Sequence, residues 1–142
     1  MSVLVVDASV VLKWVIPEIL SHESERLLLD ERILISPDIM PVEVGSVLCR
    51  KVRKKELSAE KALAAMANIE KAGVQLLPSR PFLAEGMPAA LKYGQGLFDM
   101  IYLVAASMYG GIFVTADRRF VNAMAGTPWA PFVHWVGGPL KT

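Results

Sequence analysis

One cysteine, Cys49, in a chain of 142 residues excludes an intramolecular disulfide. Histidine is nearly as scarce, with His22 and His134 far apart in the sequence, on an expected helix surface and a terminal strand. Both read as structural, and no serine–histidine or cysteine–histidine pair is in place for a covalent nucleophile. No sign of charge dominates: 15 Lys and Arg against 14 Asp and Glu leave +1, so a polyanionic ligand must be met by a local patch rather than by the whole surface. No apolar run spans a bilayer. The longest uncharged stretch, Met100 to Ala116, is broken by Gly110-Gly111 and bracketed by aspartates, the pattern of a buried helix, a turn and a buried strand. The opening Met1-Ser-Val-Leu-Val-Val-Asp lacks the basic region and cleavage site of a signal peptide, which sets the expectation of a reducing cytoplasm. Repeats, low-complexity tracts and long Ser/Gly linkers are absent too, so one domain is expected over residues 1–142.

What is present is an alternation of two patterns. Val3 to Val6, Ile33 to Ile35, Val74 to Leu77, Ile112 to Thr115 and Phe132 to Trp135 are short, branched or aromatic, and bounded by Asp, Pro or Gly; they are the strand candidates. Helical patterns fall at about 9–16, 21–30, 38–54, 58–72, 81–93, 98–109 and 118–125. Ser58 caps the fourth and Gly73 closes it. Near-continuous apolar strands alternating with helices imply an α/β domain, a parallel sheet covered on both faces in three layers. Sites in such sheets form beyond the C-terminal ends of the strands.

Four carboxylates attract notice, and each has a plainer explanation. Asp7 follows the strand Leu4-Val-Val and precedes a helix, so either it or Ser9 serves as a cap. Asp117 repeats the arrangement after Ile112-Phe-Val-Thr115. A cap explains each alone, but two parallel strands would deliver both aspartates to one edge of the sheet, a coincidence that capping does not require. Asp99 stands among apolar neighbours in Gly96-Leu-Phe-Asp-Met-Ile-Tyr-Leu-Val, where a carboxylate needs either a capping role or a partner. Glu43, between Val42 and Val44, is open to a favourable place in the first turn of its helix. Brought together without a cation, four carboxylates would repel one another and raise at least one pKa. Oxygen-only ligation selects hard cations such as Mg²⁺ or Mn²⁺, whereas zinc would recruit histidine or cysteine.

The segments Val-Val-Asp7-Ala-Ser9-Val-Val-Leu-Lys-Trp14, Pro-Val-Glu43-Val-Gly-Ser-Val-Leu, Phe-Asp99-Met-Ile-Tyr102-Leu-Val-Ala-Ala and Val-Thr115-Ala-Asp117-Arg-Arg-Phe120 resemble the four signature segments of PIN domains, in family order and across almost the whole chain. Length and the Asp-Ala-Ser opening are most similar to the VapC-type toxins of toxin–antitoxin pairs. The resemblance implies a five-stranded parallel sheet of the flavodoxin-like general kind and a cluster of acids at one edge. It further implies Mg²⁺ or Mn²⁺, RNA as substrate, a homodimer and a small antitoxin that covers the site. Metal-binding and catalytic roles fall on Asp7, Glu43, Asp99 and Asp117, with Ser9 and Thr115 as supporting hydrogen-bond donors. Where some relatives carry a further acid, this chain has Arg119, so ligands of a second cation would be completed by phosphate or water.

Arg118 and Arg119, which adjoin a site acid, are candidates to bind RNA, and so is the run Arg50, Lys51, Arg53, Lys54 and Lys55, for which a solvated helix end is the competing reading. The rings of Trp14 and Tyr102 offer stacking surfaces, although their apolar helical spacing favours the core. Leu63, Met66 and Ile69, on a peripheral helix, motivate the homodimer. Metal-assisted hydrolysis of RNA phosphodiester bonds is thus expected. Two rivals are a catalytically silent PIN-like domain that binds RNA or a partner, and an unrelated Mg²⁺-binding signalling domain. Asp7 lacks the acidic neighbour typical of the second.

Overall fold

The structure is a computed structural model that describes residues 2–29 and 31–140. Residue 30, at the end of the helix expected over 21–30, lies outside the described residues, as do positions 1, 141 and 142.

Five apolar runs form one sheet: β1 (Val3–Val6), β2 (Ile33–Pro37), β3 (Gln75–Leu77), β4 (Ile112–Thr115) and β5 (Val133–Trp135). Their spatial order is 3-2-1-4-5, which differs from the 2-1-3-4-5 order of flavodoxin itself. Every pairing is parallel, with Val5 opposite both Ile35 and Phe113, and Thr115 opposite Trp135. β1 is therefore central. Its Leu4, Val5 and Val6 are all buried, which is why the run shows no polar alternation. The strands match the apolar runs to within two residues. Phe132 instead ends a 3₁₀ turn, Ala130–Phe132, and a second such turn spans Arg80–Phe82. The first has no counterpart in the helical periodicity, and the second forms the start of the stretch expected as helix over 81–93. Each has a proline near its start, a residue whose fixed φ suits a first helical turn.

The helices are α1 (Ala8–Val15), α2 (Ser21–Leu29), α3 (Ile39–Arg53), α4 (Ala59–Glu70), α5 (Leu83–Tyr93), α6 (Leu97–Met108) and α7 (Arg118–Met124). α6 is the most apolar of them in its surroundings: Met100 to Ala106 are buried without a break, and the helix lies against β1, β2 and β4 with α5 packed on it. Gly94, left-handed at φ 64°, ends α5 and lets the chain turn into α6 within a few residues. At the entry to β4, a Cβ on Gly111 would stand 2.5 Å from the carbonyl oxygen of Val3, so only glycine permits β4 to close on β1.

This connectivity decides where side chains can meet. α1, α3 and α7 each follow a strand, so each begins at the C-terminal edge of the sheet. α6 leads into β4 and runs back along it, so it begins at the same edge. The order of strands reverses between β1 and β4, and the crevice above that switch point is where such sheets receive ligands.

Candidate active site

Asp7 stands at the switch point and is only 6% exposed. As the N-cap of α1 it accepts, through Oδ1, the backbone N–H of Val10 at 3.1 Å and the hydroxyl of Ser9 at 2.6 Å. Through Oδ2 it accepts the hydroxyl of Thr115, the last residue of β4, at 2.7 Å. Capping and site-building are thus one arrangement: one oxygen ends a helix and the other ties two strands. Ser9 Oγ in turn accepts Ala116 N–H at 3.1 Å, and Thr115 Oγ1 accepts Asp117 N–H at 3.1 Å, so the β4–α7 turn is fastened to the same carboxylate.

Asp117 caps α7, accepting Phe120 N–H at 3.2 Å, and its side chain is exposed. Asp99 is the third residue of α6, whose cap position is held by Gly96. Glu43 lies in the second turn of α3, which starts at Ile39 and has no acid in its first turn. The helix-terminus explanation open from sequence therefore does not account for Glu43. Its partner is Tyr102, which donates its hydroxyl to Glu43 Oε1 at 2.6 Å.

Apolar spacing assigns Tyr102 to the core, and its ring is there, 1% exposed and stacked on Phe113 with centroids 5.4 Å apart. Its hydroxyl nevertheless belongs to the site. The signal was available: Asp99 and Tyr102 are three apart on one helix and share a face.

All four acids line one cavity of about 510 Å³, together with Ser9 and Tyr102. Burial pushes the Asp7 carboxyl above the usual range, opposed by the hydrogen bonds from Ser9, Thr115 and Val10 and reinforced by the charge of Asp117. Burial likewise raises Glu43; the Tyr102 hydroxyl pulls the other way and the charge of Asp7 adds to the rise. Asp99 is pushed up to about 6, first by burial and then by the charges of Asp7, Asp117 and Glu43. Burial and the bond to Glu43 hold the Tyr102 phenol far above its ordinary value, so it remains a donor. The anionic form of each of these three carboxyls is thus disfavoured in the absence of a cation, a cost that a bound cation would remove. Among the described residues no three His, Cys, Asp or Glu side chains form a ready-made metal-binding group. The donors on offer around the cavity are carboxylate oxygens, which suit a hard divalent cation.

Part of the lining is basic: Lys13, Arg50, Lys51 and Lys54 also line the cavity. Arg118 and Arg119 are exposed and do not line it; the Arg118 guanidinium lies over the Trp135 ring, 4.4 Å from its centroid. Trp14 packs against the core and donates its indole N–H to the Ser24 carbonyl at 2.8 Å. His22 is exposed on α2, and a ring nitrogen of His134 is 3.0 Å from the Gly138 carbonyl.

The chain matches the PIN domain over residues 4–125. It is 29% identical over 122 residues to Ribonuclease VapC3 of Pyrobaculum aerophilum, covering 84% of this chain and 92% of that protein. Among solved structures, a Pyrobaculum aerophilum protein superposes with a TM-score of 0.72 at 20% identity, over 96% of this chain and 85% of its own. VapBC2 from Rickettsia felis, bound to a DNA fragment from its promoter, superposes with a TM-score of 0.63 at 10% identity, over 94% and 98% of the two chains. A sheet of order 3-2-1-4-5, acids gathered above its switch point and a sequence match across most of its length lead to one assignment: the chain belongs to the PIN-domain family.

Proposed function

We propose that the chain is a Mg²⁺- or Mn²⁺-dependent ribonuclease and the toxin of a VapBC-type toxin–antitoxin pair. The observation that carries this reading is the convergence of Asp7, Glu43, Asp99 and Asp117, from four separate stretches of sequence, on one cavity that also has a basic wall. The similarity to Ribonuclease VapC3 supports RNA as the substrate, and the fold shared with VapBC2 supports a small antitoxin as partner. A homodimer is part of the same reading.

The four carboxylates would hold the cation. Bound there, a divalent ion supplies Lewis acidity that activates water and offsets charge on the scissile phosphate. The chain's own contribution is placement. Thr115, Ser9 and Val10 N–H fix both oxygens of Asp7, and Tyr102 fixes one oxygen of Glu43. Asp99 and Asp117 ride on the starts of α6 and α7. Both histidines lie away from the cavity, so the acid–base route through the RNA 2′-hydroxyl has no imidazole to serve it.

The test is cleavage of an end-labelled RNA with Mg²⁺ or Mn²⁺, followed by mass spectrometry of the fragments. A 5′-phosphate downstream, a 3′-hydroxyl upstream and arrest by EDTA are expected. A 2′-deoxy substitution at the scissile nucleotide should leave the chemical step intact. Cyclic phosphate ends, or undiminished cleavage by metal-free protein, would rule the mechanism out.

A further inference from the structure

In the lining of the same cavity, the two carboxylate oxygens of Glu18 are divided between two lysines. Oε2 lies 3.1 Å from Lys13 Nζ and Oε1 lies 3.8 Å from Lys51 Nζ. Lys51 also approaches Glu56 at 3.9 Å. Glu18 is an exposed residue, whereas the Lys13 side chain is only 11% exposed and that of Lys51 27%, and all three line the cavity that holds the acids.

The lysines come from α1 and α3, which pack against each other, so their ammonium groups are held near each other by the fold. Glu18 comes from neither helix. It lies in the segment between α1 and α2, where its N–H donates to Ser21 Oγ at 2.8 Å. Two cations placed by packed helices, bridged by one anion supplied from a loop, have the form of an anion seat with an occupant. A carboxylate and a phosphodiester each carry a single negative charge and can offer two oxygens, so one can replace the other without changing the charge of the wall.

We propose that Lys13 and Lys51 form a seat for one backbone phosphate of the RNA, and that Glu18 fills this seat in the free protein as an internal competitor. The identity of the polyanion rests on the ribonuclease reading above. RNA binding then requires Glu18 to yield, and the affinity of the free protein is set below what the basic wall alone would give.

The experiment titrates a fluorescein-labelled single-stranded RNA dodecamer with protein in EDTA, from low to physiological salt, following anisotropy. Glu18→Gln removes the competitor and keeps its size. Its dissociation constant should fall about three- to tenfold, and the slope of log affinity against log salt should steepen by about 0.7, the value for one more neutralised phosphate on a single strand. Lys51→Met should weaken binding and, combined with Glu18→Gln, cancel the gain. Circular dichroism of each variant confirms that it is folded. An unchanged or raised dissociation constant for Glu18→Gln, a gain that survives Lys51→Met, or no measurable binding by either form overturns the seat. Cleavage by the parent chain in Mg²⁺ is measured on the same RNA. Cleavage without a Glu18→Gln effect refutes the seat and leaves the ribonuclease reading standing, whereas the binding gain without cleavage of this RNA upholds the seat and shows that this dodecamer is bound but not cut.

Discussion

The hydroxyl of Tyr102 joins α6 to α3 by donating to Glu43 Oε1 at 2.6 Å, while its ring is stacked on Phe113 of β4. The ring's packing is separable from the hydroxyl's bond. Tyr102→Phe keeps the first and deletes the second, leaving a half-buried carboxylate with one donor fewer. The variant should stay folded and lose about 1–2 kcal/mol of stability in urea. An unchanged urea midpoint would show that this bond contributes nothing.

Thr115 is fully buried, donates to Asp7 Oδ2 and accepts from Asp117 N–H. Thr115→Val is nearly isosteric but strands both partners. We expect a loss of about 1–3 kcal/mol and, since a misplaced ligand weakens a metal site, roughly 10- to 100-fold less metal-dependent cleavage. Thr115→Ser should recover most of both. Equal damage from Val and Ser would place the effect in the methyl group's packing instead.

How far the sequence anticipates this site depends on how local each signal is. Asp7 and Asp117 are legible because a strand, an acid and a helix in succession place each at one sheet edge, and the capping that competes with a site role turns out to accompany it. Asp99 is legible as a charge in an apolar stretch. Glu43 is legible only through the resemblance to PIN domains, because its partner is 59 positions away on another helix. The basic wall is partly legible: Arg50, Lys51 and Lys54 belong to the run at the end of α3 that the sequence offers as an anion patch, whereas local sequence favours Arg118 beside Asp117 and the structure sets its guanidinium over Trp135 on β5. Lys13 joins Lys51 at the cavity only through the packing of α1 on α3. The core elements follow from periodicity, while the proline-led 3₁₀ turn Ala130–Phe132 is too short to leave a period.

Metal-free protein should lose stability as pH rises. The folded state binds the Asp99 proton more tightly than the unfolded chain, with the pKa raised from 3.8 to about 6. The resulting stabilisation is complete below about pH 4 and is lost as pH climbs through 6. Asp7 and Glu43, also raised, act in the same direction. Urea midpoints in EDTA should therefore fall between pH 4 and pH 7, with a shallower fall for Asp99→Asn, which should also abolish metal-dependent cleavage. A parent midpoint that climbs over this range, or an Asp99→Asn protein that cleaves at the parent rate with the same metal requirement, contradicts the assignment.

Self-association has a visible candidate surface. Of the three apolar residues that motivate a dimer from sequence, Ile69 is buried and Met66 packs against the core, leaving Leu63 exposed. α5 shows a longer stripe, with Leu83, Met87 and Leu91 exposed at successive four-residue steps. Sedimentation velocity at high micromolar concentration should show a dimer, and Leu91→Glu, at a position 79% exposed, should shift it to a folded monomer. A parent chain that sediments as a monomer defeats the expectation.

The central position of β1 also governs when the site can exist. A ribosome releases β1 first, yet the hydroxyl that secures Asp7 belongs to a residue 108 positions later. At about 5–20 residues per second, that interval is roughly 5–20 seconds of synthesis. Throughout it, the nascent chain has Asp7 without its cross-strand tether and β1 without one of its two neighbours. On the ribonuclease reading, a chain built in this order has no assembled acid cluster while it is being translated, and gains one only once β4 and the turn that carries Asp117 have emerged.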